Sequence, residues 1–521
     1  MFRTIAKNVT WNWIGFFVQA GVTFFLTPVV LGSLGGVRYG VWVLASSITG
    51  YYGLIDLGLR GGINQYLTRY VARGDFESLS RTVSTVTVIL TLIGMLLMSV
   101  SLVLGLVVPH HIDLQETITH REIFWSMTLV GWGAGLELML FPLMALHVAK
   151  QRYDTQNIAT ICGRVFSAIM IFVALQRGQG LIGVAAWSFA GNLLEYVLRA
   201  GLGWRLVPQL RISPKLFQWH HAREVANFGI WSFMIGVSQS LMMTTIPFLI
   251  AALLPGSNAL RVAAVGHYSL ANRLGKYFND LLNQMGRVFY PAATDCHARQ
   301  DLPRLRKLYY GGTRTMMLVV AVLGTIGWIW AEPFYRRWLG PEVIRGGPFP
   351  SVASLFQLII ISMAATHFAT TGRQVLLGTR KVSTLAYITL VESAATLLLM
   401  AILVWYFGLV GAVCAQIIPM VLVRSILIPW AVRRELNTDW RELVRGLIQP
   451  AMVAGCLALA IGRLPGLLQA EDWPMILFGG ALSLLVAAPL VFVLGVNSKE
   501  RQAIVRGLFR RKFGTIAKQA V

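Results

Sequence analysis

Five polar side chains recur at intervals of three, four, three and four residues: Arg273, Lys276, Asp280, Asn283 and Arg287. At 3.6 residues per turn, that spacing puts all five on one face of a helix. Guanidinium and ammonium groups bind phosphate through charge-assisted hydrogen bonds, so a net cationic face suits an anionic ligand. Counting from Arg261 at the outer surface, Arg273 lies about 18 Å and Lys276 about 22 Å along the span. Ionisable groups at such depth face a partner or a water-filled cavity. An i,i+4 pair of Lys276 with Asp280 would satisfy two of them by packing alone. Arg273 then remains a cation in excess, and an unpaired buried charge is expensive. The face is therefore read as a cavity wall, with Arg273 and Lys276 as substrate ligands. Arg287, near the inner interface, suits either that wall or an anchor.

A second face carries Tyr52, Asp56, Arg60 and Asn64. Asp56 needs a partner, and Arg60 is one candidate; Arg60 equally suits an interfacial anchor or a substrate contact. Gln19 with Asn12 and Thr23, and Gln239 with Ser238 and Thr244, form polar stripes that either line a cavity or bind helices together. Glu137, Arg164, Glu195, Glu392 and Arg424 are further deep charges, for which interhelix pairing is at least as good an account as substrate contact. Glu195 and Arg199 are spaced to pair along one helix. Asp56, Asp280 and Glu392 are the groups that could couple transport to an H+ or Na+ gradient. Pro28, Pro142, Pro247 and Pro419 permit bending.

Other chemistry finds no support. There is no Walker A spacing for ATP, no His cluster for a metal and no nucleophile–base motif. Cys162, Cys296, Cys414 and Cys456 are scattered without a CxxC spacing. Adjacent His110 and His111 suit a solvated outer loop. The expectation is a transporter without cofactor or metal, not an enzyme.

The elements that must hold these groups are membrane-spanning helices. The chain has 521 residues, 56% apolar and only 13% charged, and its apolar residues come in blocks of about 20, the length that crosses a bilayer core. Fourteen spans are expected: 9–32, 39–59, 83–108, 122–149, 155–175, 181–206, 225–254, 262–292, 316–338, 351–377, 383–407, 410–432, 447–464 and 473–496. The first is read as a retained helix and not a cleaved signal, since no small-residue cleavage site follows it. With connections assigned alternately to two sides, 32 Lys and Arg fall on one side and 8 on the other. The positive-inside rule makes the first side cytoplasmic, with both termini there. It also accounts for the net charge of +23 without nucleic acid as a partner. The loops are too short for a folded domain, although 219–224 and 433–445 have the pattern of interfacial segments. The expected division is a six-helix lobe over 1–215, a second over 216–435, two extra helices over 436–498 and a basic cytoplasmic tail over 499–521. The first and seventh spans both follow a glutamine with a proline (Gln19 and Pro28; Gln239 and Pro247), which fits a doubled unit.

Several stretches carry a resemblance. Leu34-Gly35, Tyr39-Gly-Val-Trp42, Gly53-Leu-Ile-Asp-Leu-Gly-Leu59 and Arg69-Tyr70-Val-Ala-Arg-Gly-Asp75 resemble the polysaccharide (O-antigen type) flippases. So do Tyr268-Ser-Leu-Ala-Asn-Arg-Leu274, Tyr290-Pro291-Ala292 and the basic turn Leu376-Leu-Gly-Thr-Arg-Lys381. The resemblance implies the multidrug/oligosaccharidyl-lipid/polysaccharide (MATE-like) exporter superfamily, an all-α fold with two six-helix lobes around a central cavity, and alternating access. It implies an undecaprenyl-pyrophosphate-linked oligosaccharide as substrate, in the inner membrane of a bacterium, with Arg273 and Lys276 in the cationic role. Membrane lipids and a polysaccharide polymerase or export component are the implied partners. A cation-coupled multidrug efflux transporter on the same scaffold is the main alternative. A membrane glycan polymerase or ligase is a weaker one, because it would need a larger loop.

Overall fold

The computed structural model describes residues 2–55, 59–111, 118–227, 230–286, 288–345, 347–496 and 501. Among them there is no strand, and long apolar helices dominate. Among the described residues, eleven stretches are long and apolar enough to cross a membrane. They accommodate the fourteen expected spans for physical reasons. The first two spans run on as one element, α1 (Phe2–Ile55), broken at Gly35 with φ 74° and ψ 171°. Spans eleven and twelve likewise share one stretch broken at Gly408, with φ 56° and ψ −135°. Both breaks need a positive φ, which glycine adopts without a Cβ clash. The remaining span is the helix with the charged face, more polar than the other spans and helical from Asn258 to Gly286.

The helices used below are α2 (Leu59–Arg73), α3 (Phe76–His111), α4 (His120–Met144), α5 (Tyr153–Gln176), α6 (Gly180–Arg205), α7 (Ile230–Leu253), α8 (Asn258–Gly286), α9 (Leu302–Leu339), α10 (Val352–Phe368), α11 (Val382–Pro419), α12 (Trp440–Ile461) and α13 (Trp473–Leu490). Helix starts follow local chemistry. Thr119 and Glu122 form a reciprocal capping box at α4. Asp75 accepts from the Ser78 amide at 3.0 Å ahead of α3, a bond that holds its carboxyl below the ordinary aspartate range.

The chain forms two compact units, residues 1–270 with 389–415, and residues 271–388 with 416–521. In the first, α3 packs on α4, α5 on α6, and α4 on α6. With no solvent-driven hydrophobic term between lipid-facing helices, close backbone approach supplies the packing. Gly163 and Gly191 show it: a Cβ on Gly163 would stand 2.7 Å from the Gly191 carbonyl oxygen, and one on Gly191 2.8 Å from that of Gly163. Connections assigned to one side by charge also meet one another. Arg38 pairs with Glu122 at 3.0 Å, and the 211–221 segment is bonded to the start of α3. Residues 219–227 form a short helix, as the interfacial pattern at 219–224 anticipates. The 433–445 pattern is interrupted, by left-handed Asn437 and a new helix start capped by Asp439.

In the second unit, α9 is the central post. It packs on α10, α12 and α13. The final two helices are held by Trp330, whose Nε1 donates to Ser483 Oγ at 3.0 Å, and by an edge-on contact of Phe334 with Trp473. Arg337 pairs with Asp472 at 3.5 Å, and Lys381 with Glu435 at 2.9 Å. Pro419 precedes a π-helical stretch, Met420–Leu427, consistent with the local loss of a backbone donor there.

Candidate functional site

The C-terminal half of α8 belongs to the second unit, and its packing fixes which face is closed. Ala271 is fully buried and Leu282 is 2% exposed; Gly275 and Gly286 are buried in the same register. A Cβ on Gly275 would stand 2.8 Å from Ile359 of α10, and one on Gly286 2.5 Å from Thr370. Tyr335 of α9 donates its hydroxyl to the Ala271 carbonyl at 3.3 Å. At about 100° per residue, Arg273, Lys276, Asp280 and Asn283 centre roughly 130° around the helix from that packed face. The stripe therefore lies on the side of α8 that its own unit leaves uncovered.

Within the stripe, Arg273, Asp280 and Asn283 are half-buried and Lys276 is exposed. Arg273 and Asp280 are each engaged by a polar or electrostatic partner. Lys276 is in no ion pair among the described residues, so the i,i+4 pair with Asp280 does not form. The net charge of the described stripe is positive. Arg287, the fifth member, lies outside the described residues.

The first unit holds the other candidates. Asp56 lies outside the described residues, as does the side chain of Gln239. Arg60 Nη1 binds Glu137 Oε1 of α4 at 2.9 Å, and its guanidinium stands 5.0 Å over the Phe141 ring. Tyr196 of α6 donates to Glu137 Oε2 at 3.4 Å. Arg60 is thus tied to a helix 77 residues away in sequence, with both charged side chains still about one third exposed. Gln19 is exposed, and its carbonyl accepts from Thr23 at 2.9 Å. Glu392 is 1% exposed and engaged. Beside it Ser393 donates to the Ser238 carbonyl of α7 at 3.0 Å, so that part of the polar stripe joins helices.

Two clusters were not legible as clusters. Glu195 is 5% exposed; it accepts from Thr160 at 2.9 Å and Arg199 at 3.2 Å, and Arg164 lies at 3.8 Å. The Arg199 partner follows from i,i+4 spacing; Thr160 and Arg164 come from α5 and carry no sequence signal beyond their depth. In the second unit, Arg424 is 8% exposed and donates to Thr366 at 2.8 Å, beside fully buried His367. The π-helical backbone around Arg424 is a departure that only coordinates reveal. Among the described residues, no group of His, Cys, Asp and Glu is placed to hold a metal ion.

Comparison with known proteins adds to this geometry. The profile of the family described as polysaccharide biosynthesis protein matches residues 38–342. An uncharacterized membrane protein of Bacillus subtilis, EpsK, is 21% identical over 98% of this chain and 99% of its own length. A candidate O-antigen transporter of Shigella flexneri is 19% identical over 83% of this chain and 98% of its own. Among solved structures, the lipid II flippase MurJ in an inward closed conformation superposes with a TM-score of 0.65 at 11% identity, covering 94% of this chain and 99% of that one. An inward-facing multidrug resistance MATE family transporter does so with 0.61 at 14% identity, covering 81% and 98%. The chain is a multi-pass, all-α membrane protein of the polysaccharide biosynthesis protein family, with the fold seen in MurJ and in the MATE transporter.

Proposed function

We propose that this protein moves an undecaprenyl-pyrophosphate-linked oligosaccharide from the cytoplasmic to the periplasmic leaflet of a bacterial inner membrane, by alternating access between two helical lobes. One observation carries the reading: the net cationic stripe of α8 stands on the face that its own unit does not pack, with Lys276 exposed. A pyrophosphate is the matching ligand, since it offers several anionic oxygens to Arg273 and Lys276 together. The lipid tail stays among acyl chains while the headgroup crosses, so no hydrolysis is required of the protein. Asp280, Asp56 and Glu392 are the candidates for coupling to a proton or sodium gradient. Both termini lie in the cytoplasm, following the distribution of basic residues.

The test is translocation in proteoliposomes, read as accessibility of the glycan to an added lectin. Arg273→Ala/Lys276→Ala is expected to lower transfer at least 100-fold while its elution profile and melting temperature stay those of wild type. Wild-type transfer by that variant would remove the site assignment. A multidrug exporter on this fold would instead protect a deletion strain from cationic drugs. The stripe disfavours that reading, because like charge repels such substrates.

A further inference from the structure

The segment joining α6 to α7 is built as a rigid surface, and nothing in the transport reading uses it. Four hydroxyl residues on the first turns of α3 hold it. Ser80 Oγ accepts from the Arg211 amide at 3.1 Å, and Ser84 Oγ accepts from the Ser213 amide at 3.1 Å while donating to the Arg211 carbonyl at 3.4 Å. Thr85 Oγ1 accepts from the Gln218 amide at 3.0 Å, and Thr82 Oγ1 meets His221 Nδ1 at 3.3 Å. All four are buried. The segment then enters the short helix Trp219–Asn227, which packs on α2 and α3 with Ala222 turned inward at 6% exposure.

This clamp leaves a defined outer face. Trp219 is 69% exposed and Phe217 37%, their rings 6.5 Å apart. Arg211, Lys215 and Arg223 are exposed around them. Trp219 and Arg223, four residues apart, share one side of the short helix. Aromatic rings flanked by cations at a membrane boundary match the headgroup layer, where an amphipathic ring and a positive charge are both satisfied. The segment also lies on the side that carries 32 of the basic residues counted by alternation, which faces the anionic leaflet.

We infer that the face formed by Arg211, Lys215, Phe217, Trp219 and Arg223 is a binding site for the headgroups of anionic phospholipids in the cytoplasmic leaflet. Charge complementarity selects the lipid class. The hydroxyl clamp selects for a site over a loose tether, since the ordering cost is met by the fold before any lipid arrives. Bound lipid would pin the connector between the sixth and seventh spans to the membrane surface.

Native mass spectrometry of the full-length, delipidated protein in detergent tests this, titrated with phosphatidylglycerol or phosphatidylcholine. Wild type is expected to retain phosphatidylglycerol preferentially. Lys215→Ala/Arg223→Ala should weaken that retention about 30-fold, on the usual contribution of each cation near an anionic surface. Trp219→Ser should weaken binding of both lipids. Arg304→Ala/Lys307→Ala, which removes two cations elsewhere on the same side, should leave retention unchanged. Equal loss in that control pair would reduce the effect to bulk charge, and retention unaltered by Lys215→Ala/Arg223→Ala would overturn the proposal. A protein captured in place of lipid, shown by a lysate component that competes with phosphatidylglycerol, would overturn it as well. Wild-type melting temperatures for all three variants keep misfolding out of the comparison.

Discussion

Replacing Glu195 by Gln probes how the first unit tolerates its deep charges. The carboxylate is 5% exposed and lies among Thr160, Arg199 and Arg164 at 2.9, 3.2 and 3.8 Å. Gln keeps the shape but removes the charge, so two guanidinium groups lose their counter-ion. Breaking a fully buried pair costs about 3–5 kcal/mol. The Arg199 side chain is 18% exposed and pays most of that; Arg164, at 44%, is screened and contributes little. The lower end, about 3 kcal/mol, is the expectation. For a unit of this size that is a fall of roughly 6 °C in melting temperature, measurable by scanning fluorimetry in detergent. Because the loss comes from stranded charge, Glu195→Gln/Arg199→Met should melt above Glu195→Gln alone. A Glu195→Gln protein that melts with wild type would refute the reasoning. So would a double variant less stable than the single, which would make Arg199 a packing element and not a counter-ion.

Three further outcomes are expected. Glu137→Gln should cost only about 1 kcal/mol, because Arg60 and Glu137 are each about one third exposed; chemical denaturation in detergent would read it. Gly191→Leu should sharply reduce the folded yield, because any side chain there meets Ser167 and the Gly163 carbonyl oxygen; size-exclusion chromatography of the membrane extract checks it. Trp330→Phe should loosen the last two helices by about 1 kcal/mol through loss of the Ser483 bond, seen as faster proteolysis between Ile461 and Trp473. Ser483→Ala should do the same, and the double variant should add little to either single.

The number of spans, the sidedness pattern and the existence of a charged helix face are properties of the sequence alone. Each follows from quantities that are local along the chain. Apolar length sets the crossings, basic residues in short loops set the alternation, and 3.6-residue periodicity gathers Arg273, Lys276, Asp280 and Asn283. The Glu195–Arg199 contact was legible for the same reason, since both partners share one helix.

Partnerships between helices were not legible. Spacing offers Arg60 the carboxylate of Asp56, which lies outside the described residues, and says nothing of Glu137; the fold joins Arg60 to Glu137 across 77 residues. The i,i+4 rule permitted Lys276 with Asp280, yet Lys276 stands exposed. Periodicity places residues on a face but does not say which face a neighbour closes. Here Gly275 and Gly286 decide it, by admitting Ile359 and Thr370 where a side chain would have kept them away. Spacing is encoded one residue at a time, whereas burial and pairing are decided only when distant helices compete for the same contact.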